Sequence, residues 1–537
     1  MTAQCVSIAQ WEASSPEAGH FGHFALFDIR DPVEYERGHI PGASTLPRRR
    51  IEFRIAELVQ DRDTPILVYG EADARAALAA DTLASLGYTR VRWLQDGLAA
   101  WRAAGRALAS GTNVPSKRFG EQVQHACAVP AIDAATLLRW QAEGRRIAVC
   151  DVRTPEEHAQ GCIPQARSLP SFDIALHAGD LARSADTVVL HCAGRTRSII
   201  ATRTLRELGI DNVVALENGT MGWRLAGHAL AQGSRGMQAP PSAESRALAE
   251  RTSAVLARDA GVRRIDGNAL VALLADTTRN RYVFDVRGVA EFEAGHIAGS
   301  IALPGGQAVQ RADDFMPVRA APIVLIDEDE ARANLTGAWL RRMGFADVAV
   351  LAHGLRGWQD AGRPVARGRR PVSAAIREPA AIRLTVEACL AWRRAHPELL
   401  VIDVDTSGHF RRGHLPDARW IPRGWLELRI GALAPSTDVP VLVTCGSGQH
   451  APWAAAALRR MGHAQVACLD GGTRAWAAAG QLLHRAELAP QDDELLAPYE
   501  RGEQAMRDYI DWEKLLVPLA GQEPPAPPSV DSTKRQR

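Results

Sequence analysis

The stretch IAVCDVRTPEEHAQGCIPQA, residues 147–166, decides the fold because its pattern occurs four times along the chain. Each occurrence is a short apolar run that ends in an acid and is followed ten residues later by a glycine. The acids are Asp28, Asp151, Asp285 and Asp403, and the glycines are Gly38, Gly161, Gly295 and Gly413. The acids are separated by 123, 134 and 118 residues. Such intervals indicate tandem duplication of a whole domain rather than a solenoid repeat.

The rest of each copy repeats as well. A second apolar run is followed by a helix-like segment that ends at a glycine, then by another short apolar run. After that run come a glycine and, four residues later, a tryptophan: Gly97/Trp101, Gly219/Trp223, Gly354/Trp358 and Gly472/Trp476. Short, β-branched runs without polar alternation are typical of parallel strands that are buried on both faces. The sequence therefore predicts an α/β fold with four tandem domains, each a central parallel β-sheet flanked by helices.

These repeats give the domain boundaries. We place domain 1 at residues 1–115, domain 2 at 128–235, domain 3 at 260–368 and domain 4 at 380–485. The remaining segment, 486–537, is predicted to contain a helix followed by a disordered, proline-rich tail.

Composition excludes several classes of protein. Lys and Arg number 63 against 62 Asp and Glu, so the net charge of +1 argues against a general nucleic-acid binder. No apolar run approaches the length of a membrane span, and the N-terminal residues lack the pattern of a secretory signal. The eight cysteines form no CxxC pair and no zinc-ligand spacing, so neither a disulfide scaffold nor a metal site is expected. A reducing cytoplasm is the expected location.

The segment VVLHCAGRTRSII, residues 188–200, carries the candidate chemistry. Cys192 ends a predicted buried strand, CAGRTR forms a tight loop, and a helix opens after it. Backbone N–H groups of such a loop and the helix N-terminus both favour an anion. Arg195 and Arg197 add positive charge, which favours the thiolate form of a cysteine. Cys192 is therefore the predicted nucleophile, in a pocket that suits an anionic substrate.

The same position differs among the copies. It is Gly70 in domain 1, within GEADAR, and Asp327 in domain 3, within DEDEAR. Both domains lack the thiol and have acidic loops, so they are predicted to be inactive. Domain 4 has Cys445 in CGSGQH, where backbone donors remain but no arginine does. Cys445 is thus a second candidate, against the alternative of a small buried residue.

The two arginines of the Cys192 loop have different predicted roles. Domains 1 and 3 keep Arg75 and Arg332 at the place of Arg197, although they lack the thiol. An arginine that remains without the chemistry is expected to fix the loop through an ion pair. Arg195 is therefore the better candidate for a substrate contact.

Taken together, these motifs resemble those of the rhodanese family. The shared features are D-x-R after the first strand, a GHIPGA-like segment, an active loop after a later strand, and a terminal GG-x-x-x-W. Domains 1 to 3 have the D-x-R pair (Asp28/Arg30, Asp151/Arg153, Asp285/Arg287), whereas Asp405 replaces the arginine in domain 4. The resemblance covers most of the chain as four tandem rhodanese domains.

The resemblance implies a thiosulfate sulfurtransferase that carries sulfane sulfur as a cysteine persulfide. Cys192 would be the persulfide cysteine, Cys445 a second catalytic cysteine, and Ala193, Gly194, Arg195, Thr196 and Arg197 the substrate-binding loop. The implied partners are thiosulfate, a cyanide or thiol acceptor, and a protein persulfide. No organic cofactor or metal is implied. Two-domain members place an inactive domain before an active one, so the chain is predicted to be two such consecutive pairs.

Two other functions remain open from the sequence. Cysteine phosphatases that share this fold use Cys-x5-Arg, whereas Cys192 and Arg197 form Cys-x4-Arg, which gives a narrower pocket. The second alternative is a non-catalytic scaffold or relay that carries protein-bound persulfide between partners, since two of the copies lack the thiol.

Overall fold

Four parallel β-sheets of five strands each form the framework of the chain. The computed structural model describes residues 3–14, 23–170, 172–233, 239–369 and 378–517. In every sheet the strands, numbered within the domain, lie in the order 1-5-4-2-3, and each strand pair is parallel. This architecture confirms the predicted α/β class with four tandem domains.

Domain 1 alternates strands with helices as its sequence predicts. Its strands are β1 (Gln4–Val6), β2 (Ala25–Asp28), β3 (Ser44–Thr45), β4 (Ile66–Tyr69) and β5 (Val91–Leu94). Its helices are α1 (Ile8–Ser14), α2 (Pro32–Arg37), α3 (Ile51–Leu58), α4 (Arg75–Ser85) and α5 (Gly97–Ala103), with a 3₁₀ turn at Arg48–Arg50.

Domain 2 follows helix α6 (Val114–Cys127). Its strands are β6 (Ala131–Ile132), β7 (Ile147–Asp151), β8 (Arg167–Ser168), β9 (Thr187–His191) and β10 (Val213–Leu216). Its helices are α7 (Ala134–Ala142), α8 (Pro155–Gln160), α9 (Asp173–Leu176), α10 (Ala178–Ser184), α11 (Thr196–Glu207) and α12 (Gly219–Leu225).

Helix α13 (Ala243–Asp259) leads into domain 3. The strands of this domain are β11 (Arg263–Ile265), β12 (Tyr282–Asp285), β13 (Ile301–Ala302), β14 (Ile323–Ile326) and β15 (Val348–Leu351). Its helices are α14 (Gly267–Ala275), α15 (Val289–Ala294), α16 (Gly305–Gln310), α17 (Ala312–Phe315), α18 (Ala331–Arg342) and α19 (Gly354–Asp360).

Domain 4 repeats the arrangement and is followed by a helical segment. Its strands are β16 (Arg383–Leu384), β17 (Leu400–Asp403), β18 (Arg419–Trp420), β19 (Val441–Thr444) and β20 (Val466–Leu469). Its helices are α20 (Val386–Ala395), α21 (Ser407–Arg412), α22 (Leu426–Leu433), α23 (Ala451–Arg460) and α24 (Gly472–Ala478), with a 3₁₀ turn at Arg423–Trp425. The C-terminal segment has α25 (Pro498–Arg501) and α26 (Glu503–Lys514); the predicted disordered tail lies outside the described residues from 518 onward.

The domains associate differently from the predicted consecutive pairs. One compact unit contains residues 24–112 and 371–495, so domain 1 belongs with domain 4. The other contains residues 113–370 and 496–537, so domain 2 belongs with domain 3 and the C-terminal segment. The prediction of consecutive pairs is therefore wrong, although each unit still combines one thiol-bearing and one thiol-free domain.

Domains 2 and 3 associate because they share an apolar core. Leu335 and Trp339 of α18 are buried in the same cluster as the core of domain 2. The Trp339 indole Nε1 donates to Thr204 Oγ1 at 2.9 Å. Helix α13 packs against α9 and α10 of domain 2 and against α18 of domain 3. The connection between the two domains thus becomes part of their interface.

Across the described residues, every helix is too short or too polar to cross a bilayer.

Candidate active site

Each candidate loop position follows the central strand of its sheet. Cys192 comes directly after β9 and Cys445 directly after β19, at the carboxyl edge where parallel sheets place ligands. Cys192 is 2% exposed, and its Sγ lies 3.4 Å from the hydroxyl of Ser198 in the first turn of α11. Ala193, Gly194 and Arg195 connect the strand to that helix.

In every domain, a glycine packs closely against the backbone of this loop and fixes its position. Gly219 has a φ of 52°, and a Cβ at this position would collide with the carbonyl oxygen of Cys192. The backbone of Thr220 donates to the same carbonyl at 2.9 Å. The corresponding Gly97, Gly354 and Gly472 also have positive φ and lie against Gly70, Asp327 and Cys445. The glycine of the repeated GxxxW pattern therefore serves to hold the loop.

Domain 3 shows what the loop binds at the thiol position. Asp327, which replaces the cysteine, is fully buried. Its carboxylate accepts from the backbone N–H of Glu328 and of Arg332, both at 2.7 Å. The loop's backbone donors, together with the Arg332 guanidinium at 2.8 Å, therefore converge on an anion that extends from the strand end. Domain 2 has a thiol on the same scaffold.

Arg197 forms an ion pair that is repeated in three domains. Its guanidinium donates to both carboxylate oxygens of Glu157, at 2.7 and 2.8 Å. Arg75 pairs in the same way with Glu34, and Arg332 with Glu291. Burial works against the charge, but Glu157 and the sulfur of Cys192 raise the pKa of Arg197 above its usual value. Arg197 thus fixes the loop through an ion pair, as the sequence predicts, while remaining close to the sulfur.

Arg195 points to a different partner. Its Nε and Nη2 donate to the two oxygens of Glu121 on α6, at 2.6 and 2.9 Å, and Nη1 lies 3.3 Å from Asn218 Oδ1. Glu121 is 1% exposed. An anionic substrate would have to share donors that these groups already use. The role of Arg195 as a substrate contact therefore remains a prediction.

Arg153 has a different environment from its counterparts in domains 1 and 3. It donates to Asp151 and, at 2.5 Å, to the carbonyl of Gly161, as Arg30 and Arg287 do in their own domains. Arg30 and Arg287 also bind a glutamate from Nη1, at 3.0 and 3.1 Å: Glu71 and Glu328, respectively. Ala193 stands at that place in domain 2, and among the described residues no carboxylate replaces it at Arg153 Nη1.

Asp151 lies at the centre of a buried polar cluster in domain 2. His158 Nδ1 is 3.0 Å from its carboxylate and His191 Nε2 is 3.8 Å away. Burial opposes the charge of Asp151, but His191, His158 and Arg153 together hold its pKa below the usual range. Burial lowers the pKa of His191 to about 4, so this ring is neutral at physiological pH. The cluster fixes the strand end that precedes Cys192.

The C-terminal segment contributes the remaining side of the loop. Glu513 of α26 accepts from the backbone N–H of Thr196 at 3.3 Å and from its hydroxyl at 2.5 Å. A Cβ on Gly194 would lie 3.0 Å from Met221 Cε, 3.3 Å from a Glu513 oxygen and 3.4 Å from the ring of Tyr509. The loop is therefore covered by α26.

The Cys445 loop is closed and lacks its own cation. Cys445 is fully buried. Burial and then the charge of Asp405 raise the pKa of Cys445 to about 12, although the backbone N–H groups of Ala451 and His450 act in the opposite direction. Asp405 Oδ2 also accepts from the N–H of Gly446 at 2.7 Å. These contacts disfavour the thiolate form of Cys445, and its ranking against Cys192 stays a prediction.

Domain 1 supplies positive charge close to the Cys445 loop. The ring of Phe53 packs edge-on against His450 at 4.7 Å between centroids. Burial, opposed by Asp405 and reinforced by Arg49, Arg423 and Arg50, lowers the pKa of His450 to about 4. The arginines come from the 3₁₀ turns of domains 1 and 4, so the loop's own sequence does not reveal them.

Sequence reasoning missed several of these contact residues, although the sequence contains a signal for some of them. A glutamate stands six residues after the strand-end acid in the three domains that keep the loop-ending arginine. In domain 4 both positions are histidine, His409 and His450. This joint change predicts the ion pair. Glu121 and Glu513 had no such signal, because they lie outside the repeats and reach the loop only through tertiary packing.

Among the described residues, no three His, Cys, Asp or Glu side chains are grouped so that they could hold a metal ion.

Comparison with known proteins agrees with the repeat pattern. The profile of the Rhodanese-like domain family matches residues 15–104, 133–226, 268–361 and 387–479. The crystal structure of a thiosulfate sulfurtransferase from Pseudomonas aeruginosa superposes with a TM-score of 0.87 at 34% identity, covering 96% of this chain and 97% of that one.

Shorter relatives match single domains. A sulfurtransferase from Allochromatium vinosum is 40% identical over 80 residues, which are 15% of this chain and 73% of the relative. The thiosulfate sulfurtransferase PspE of Escherichia coli is 34% identical over 64 residues, 12% of this chain and 62% of the relative. The chain thus belongs to the rhodanese family of sulfurtransferases and contains four Rhodanese-like domains.

Proposed function

We propose that Cys192 carries sulfane sulfur as a persulfide, taking it from thiosulfate and passing it to cyanide or a thiol. The observation that carries this proposal is the loop of domain 3, where backbone donors bind the Asp327 carboxylate at the thiol position. A Cys192 thiolate or persulfide would take up the same donors. Backbone donors arranged in this way stabilise negative charge without moving during the reaction.

The proposed reaction has two displacement steps. The Cys192 thiolate attacks the outer sulfur of thiosulfate, an S–S bond forms, and the thiosulfate S–S bond breaks with its electron pair leaving on sulfite. Cyanide or a thiolate then attacks the outer sulfur of the persulfide and the thiolate is regenerated. The sulfur moves as a neutral atom, so neither half-reaction needs an external oxidant or reductant.

Charge around Cys192 suits an anionic donor. Arg197 lies close enough to Cys192 for the sulfur to raise the pKa of its guanidinium. In domains 1 and 3 the arginine equivalent to Arg153 binds a carboxylate through Nη1, and among the described residues Arg153 Nη1 has no such partner. Arg195 also adds positive charge to the loop, although the carboxylate of Glu121 offsets it. The loop residues Ala193, Gly194 and Thr196 would supply backbone donors to the substrate. The names of the relatives from Pseudomonas aeruginosa and Escherichia coli support thiosulfate as the donor.

Turnover of the Cys192→Ser variant tests this proposal. A serine hydroxyl fills nearly the same volume but stays protonated near neutral pH, so the nucleophile is lost while packing remains. Thiosulfate:cyanide sulfurtransferase activity should fall by about 100-fold or more. Cys127→Ser, at an exposed position, is the matched control and should keep full activity. If Cys192→Ser retains about half the activity, another thiol carries the reaction.

Cys445 has a different role in this proposal. Its high pKa and the Asp405 carboxylate at Gly446 disfavour attack on a dianion. A protein-bound or small thiol persulfide, which carries less charge, is the better donor for this site. The alternative, a relay without turnover, would give sulfur-loaded cysteines but no thiocyanate from cyanide. A cytoplasmic location, where thiols stay reduced, belongs to the same proposal.

A further inference from the structure

Helix α26 places a carboxylate inside the anion-binding end of the Cys192 loop. Glu513 is 1% exposed. One of its oxygens accepts from both the N–H and the hydroxyl of Thr196, the first residue of α11. The N–H groups at the start of such a helix are the donors that an anionic substrate would need. A group of the protein's own chain therefore occupies part of the proposed substrate site.

The helix is docked by packing as well as by this contact. Met506 and Ile510 are buried against Met221 of α12. The ammonium group of Lys117 on α6 lies 4.7 Å from the ring centre of Tyr509 and 4.9 Å from that of Trp512. Arg224 donates to the carbonyl of Tyr499 at 3.0 Å. These contacts hold α25 and α26 against domain 2 without depending on Glu513.

The Glu513 carboxylate shares its buried environment with the phenol of Tyr509 and the sulfur of Cys192. The phenol of Tyr509 donates a hydrogen bond to the Glu513 carboxylate, whose Oε2 is buried. This oxygen faces the loop at Gly194. Burial, followed by the charges of Glu513 and Cys192, raises the pKa of Tyr509 well above its usual value. Carboxylate, phenol and sulfur thus share one buried environment, where like charges repel strongly.

We propose that Glu513 determines which donors reach Cys192, because its carboxylate competes with anions for the Thr196 donors. This inference rests on the proposed role of Cys192. Neutral reagents and weakly charged persulfides would be affected little, whereas a dianion would have to displace the carboxylate. Thiosulfate would then be used efficiently only when α26 moves away from the loop.

Alkylation of Cys192 tests this inference without sulfur transfer. The rates with iodoacetate, an anion, and iodoacetamide, its neutral analogue, are measured on the full chain and assigned to Cys192 by peptide mass spectrometry. Glu513→Gln keeps the size and an acceptor oxygen but removes the charge. The ratio of the iodoacetate rate to the iodoacetamide rate should rise by about tenfold. Asp511→Asn removes an exposed charge from the same helix and should leave the ratio unchanged.

A second variant keeps the test informative if Glu513→Gln disturbs folding. Ile510→Ala weakens the docking of α26 and should also raise the ratio, because the carboxylate then leaves the loop more often. An unchanged ratio in both variants, or an equal rise in Asp511→Asn, would overturn the inference. Because alkylation needs no sulfur donor, this result does not depend on whether Cys192→Ser abolishes turnover. The two proposals can therefore fail separately.

Discussion

Arg287 donates from Nη1 to Glu328 at 3.1 Å, and this ion pair closes the loop of domain 3 directly after the thiol position. Domain 1 has the same ion pair between Arg30 and Glu71 at 3.0 Å. Domain 2 has Ala193 in place of the glutamate, and among the described residues no carboxylate binds Arg153 Nη1 instead. The loop of domain 2 thus differs from those of domains 1 and 3 both at the thiol position and at the residue directly after it.

Ala193→Glu should rebuild this ion pair in domain 2. The new carboxylate would bind Arg153 Nη1 and repel thiosulfate, so kcat/KM for thiosulfate should fall by about 100-fold, as for loss of a charge-assisted contact combined with added repulsion. Thermal stability should change little, because two other domains accommodate the same side chain. Steady-state kinetics and a melting curve check this expectation. Ala193→Gln is the control for size, and an equal loss of activity in that variant would assign the effect to steric hindrance instead.

Arg195→Ala should act mainly through stability. It would leave the buried carboxylate of Glu121 without its ion-pair partner, and breaking a buried pair in this way typically costs about 3–5 kcal/mol. The unfolding midpoint in urea should fall clearly. The double variant Arg195→Ala/Glu121→Ala should recover part of that loss, since no charge is left buried alone. A single variant with normal stability and a raised KM for thiosulfate would instead support direct substrate binding by Arg195.

Asp403 makes the stability of the unit that contains domains 1 and 4 depend on pH. Domain 4 has Asp405 where the other domains have the arginine, so burial, with Asp405 adding to it, raises the pKa of Asp403 to about 7. The folded state therefore keeps a proton that the unfolded state has released above about pH 4. Stability contributed by this group is lost as pH rises from about 4 to 7.

Asp403→Asn should remove this loss. The unfolding free energy of the Asp403→Asn variant, minus that of the unsubstituted chain, should increase by on the order of 2 kcal/mol between pH 5 and pH 8. Chemical denaturation at the two pH values measures the difference. Asp438→Asn, an exposed acid of the same domain, is the control. A constant difference between Asp403→Asn and the natural chain would mean that Asp403 is ionised in the folded state throughout.

The two candidate thiols should react with iodoacetamide over different pH ranges. Cys445 should label slowly up to pH 9, because its pKa is about 12. Cys192 should label at lower pH, because Arg195 and Arg197 in its loop favour a thiolate. Asp405→Asn removes the nearest negative charge and should shift Cys445 labelling to lower pH while leaving Cys192 unchanged. Peptide-resolved labelling from pH 5 to 9 gives both profiles. Labelling of Cys445 at lower pH than Cys192 would contradict this ranking.

The sequence predicts the fold well because the same spacing of residues occurs in all four copies. Repeated spacing of Asp151, Gly161 and Gly219 with their counterparts locates the strands and loops of every sheet. The ion pair of Arg197 could also be anticipated, since its counterparts survive where the thiol does not. These features are local to one domain and recur in each copy, which is why a single sequence reveals them.

Contacts between domains could not be predicted in the same way. The pairing of domain 2 with domain 3 depends on complementary surfaces such as that of Trp339 and Thr204. Glu121 and Glu513 reach the Cys192 loop from helices outside the repeats, and Arg49 approaches His450 from another domain. None of these residues has a repeated counterpart that could mark its role. The architecture of one domain is thus encoded locally, whereas the surroundings of its loop depend on tertiary packing.

Mass spectrometry of the intact chain after brief treatment with thiosulfate tests the central claim most directly. A persulfide adds one sulfur atom, about 32 Da, and digestion under non-reducing conditions assigns it to a cysteine. The account predicts that the adduct lies on Cys192 and disappears on addition of cyanide, while Cys445 is unmodified by thiosulfate. An adduct on Cys445 alone, or a chain that gains no sulfur while still turning over thiosulfate, would contradict it.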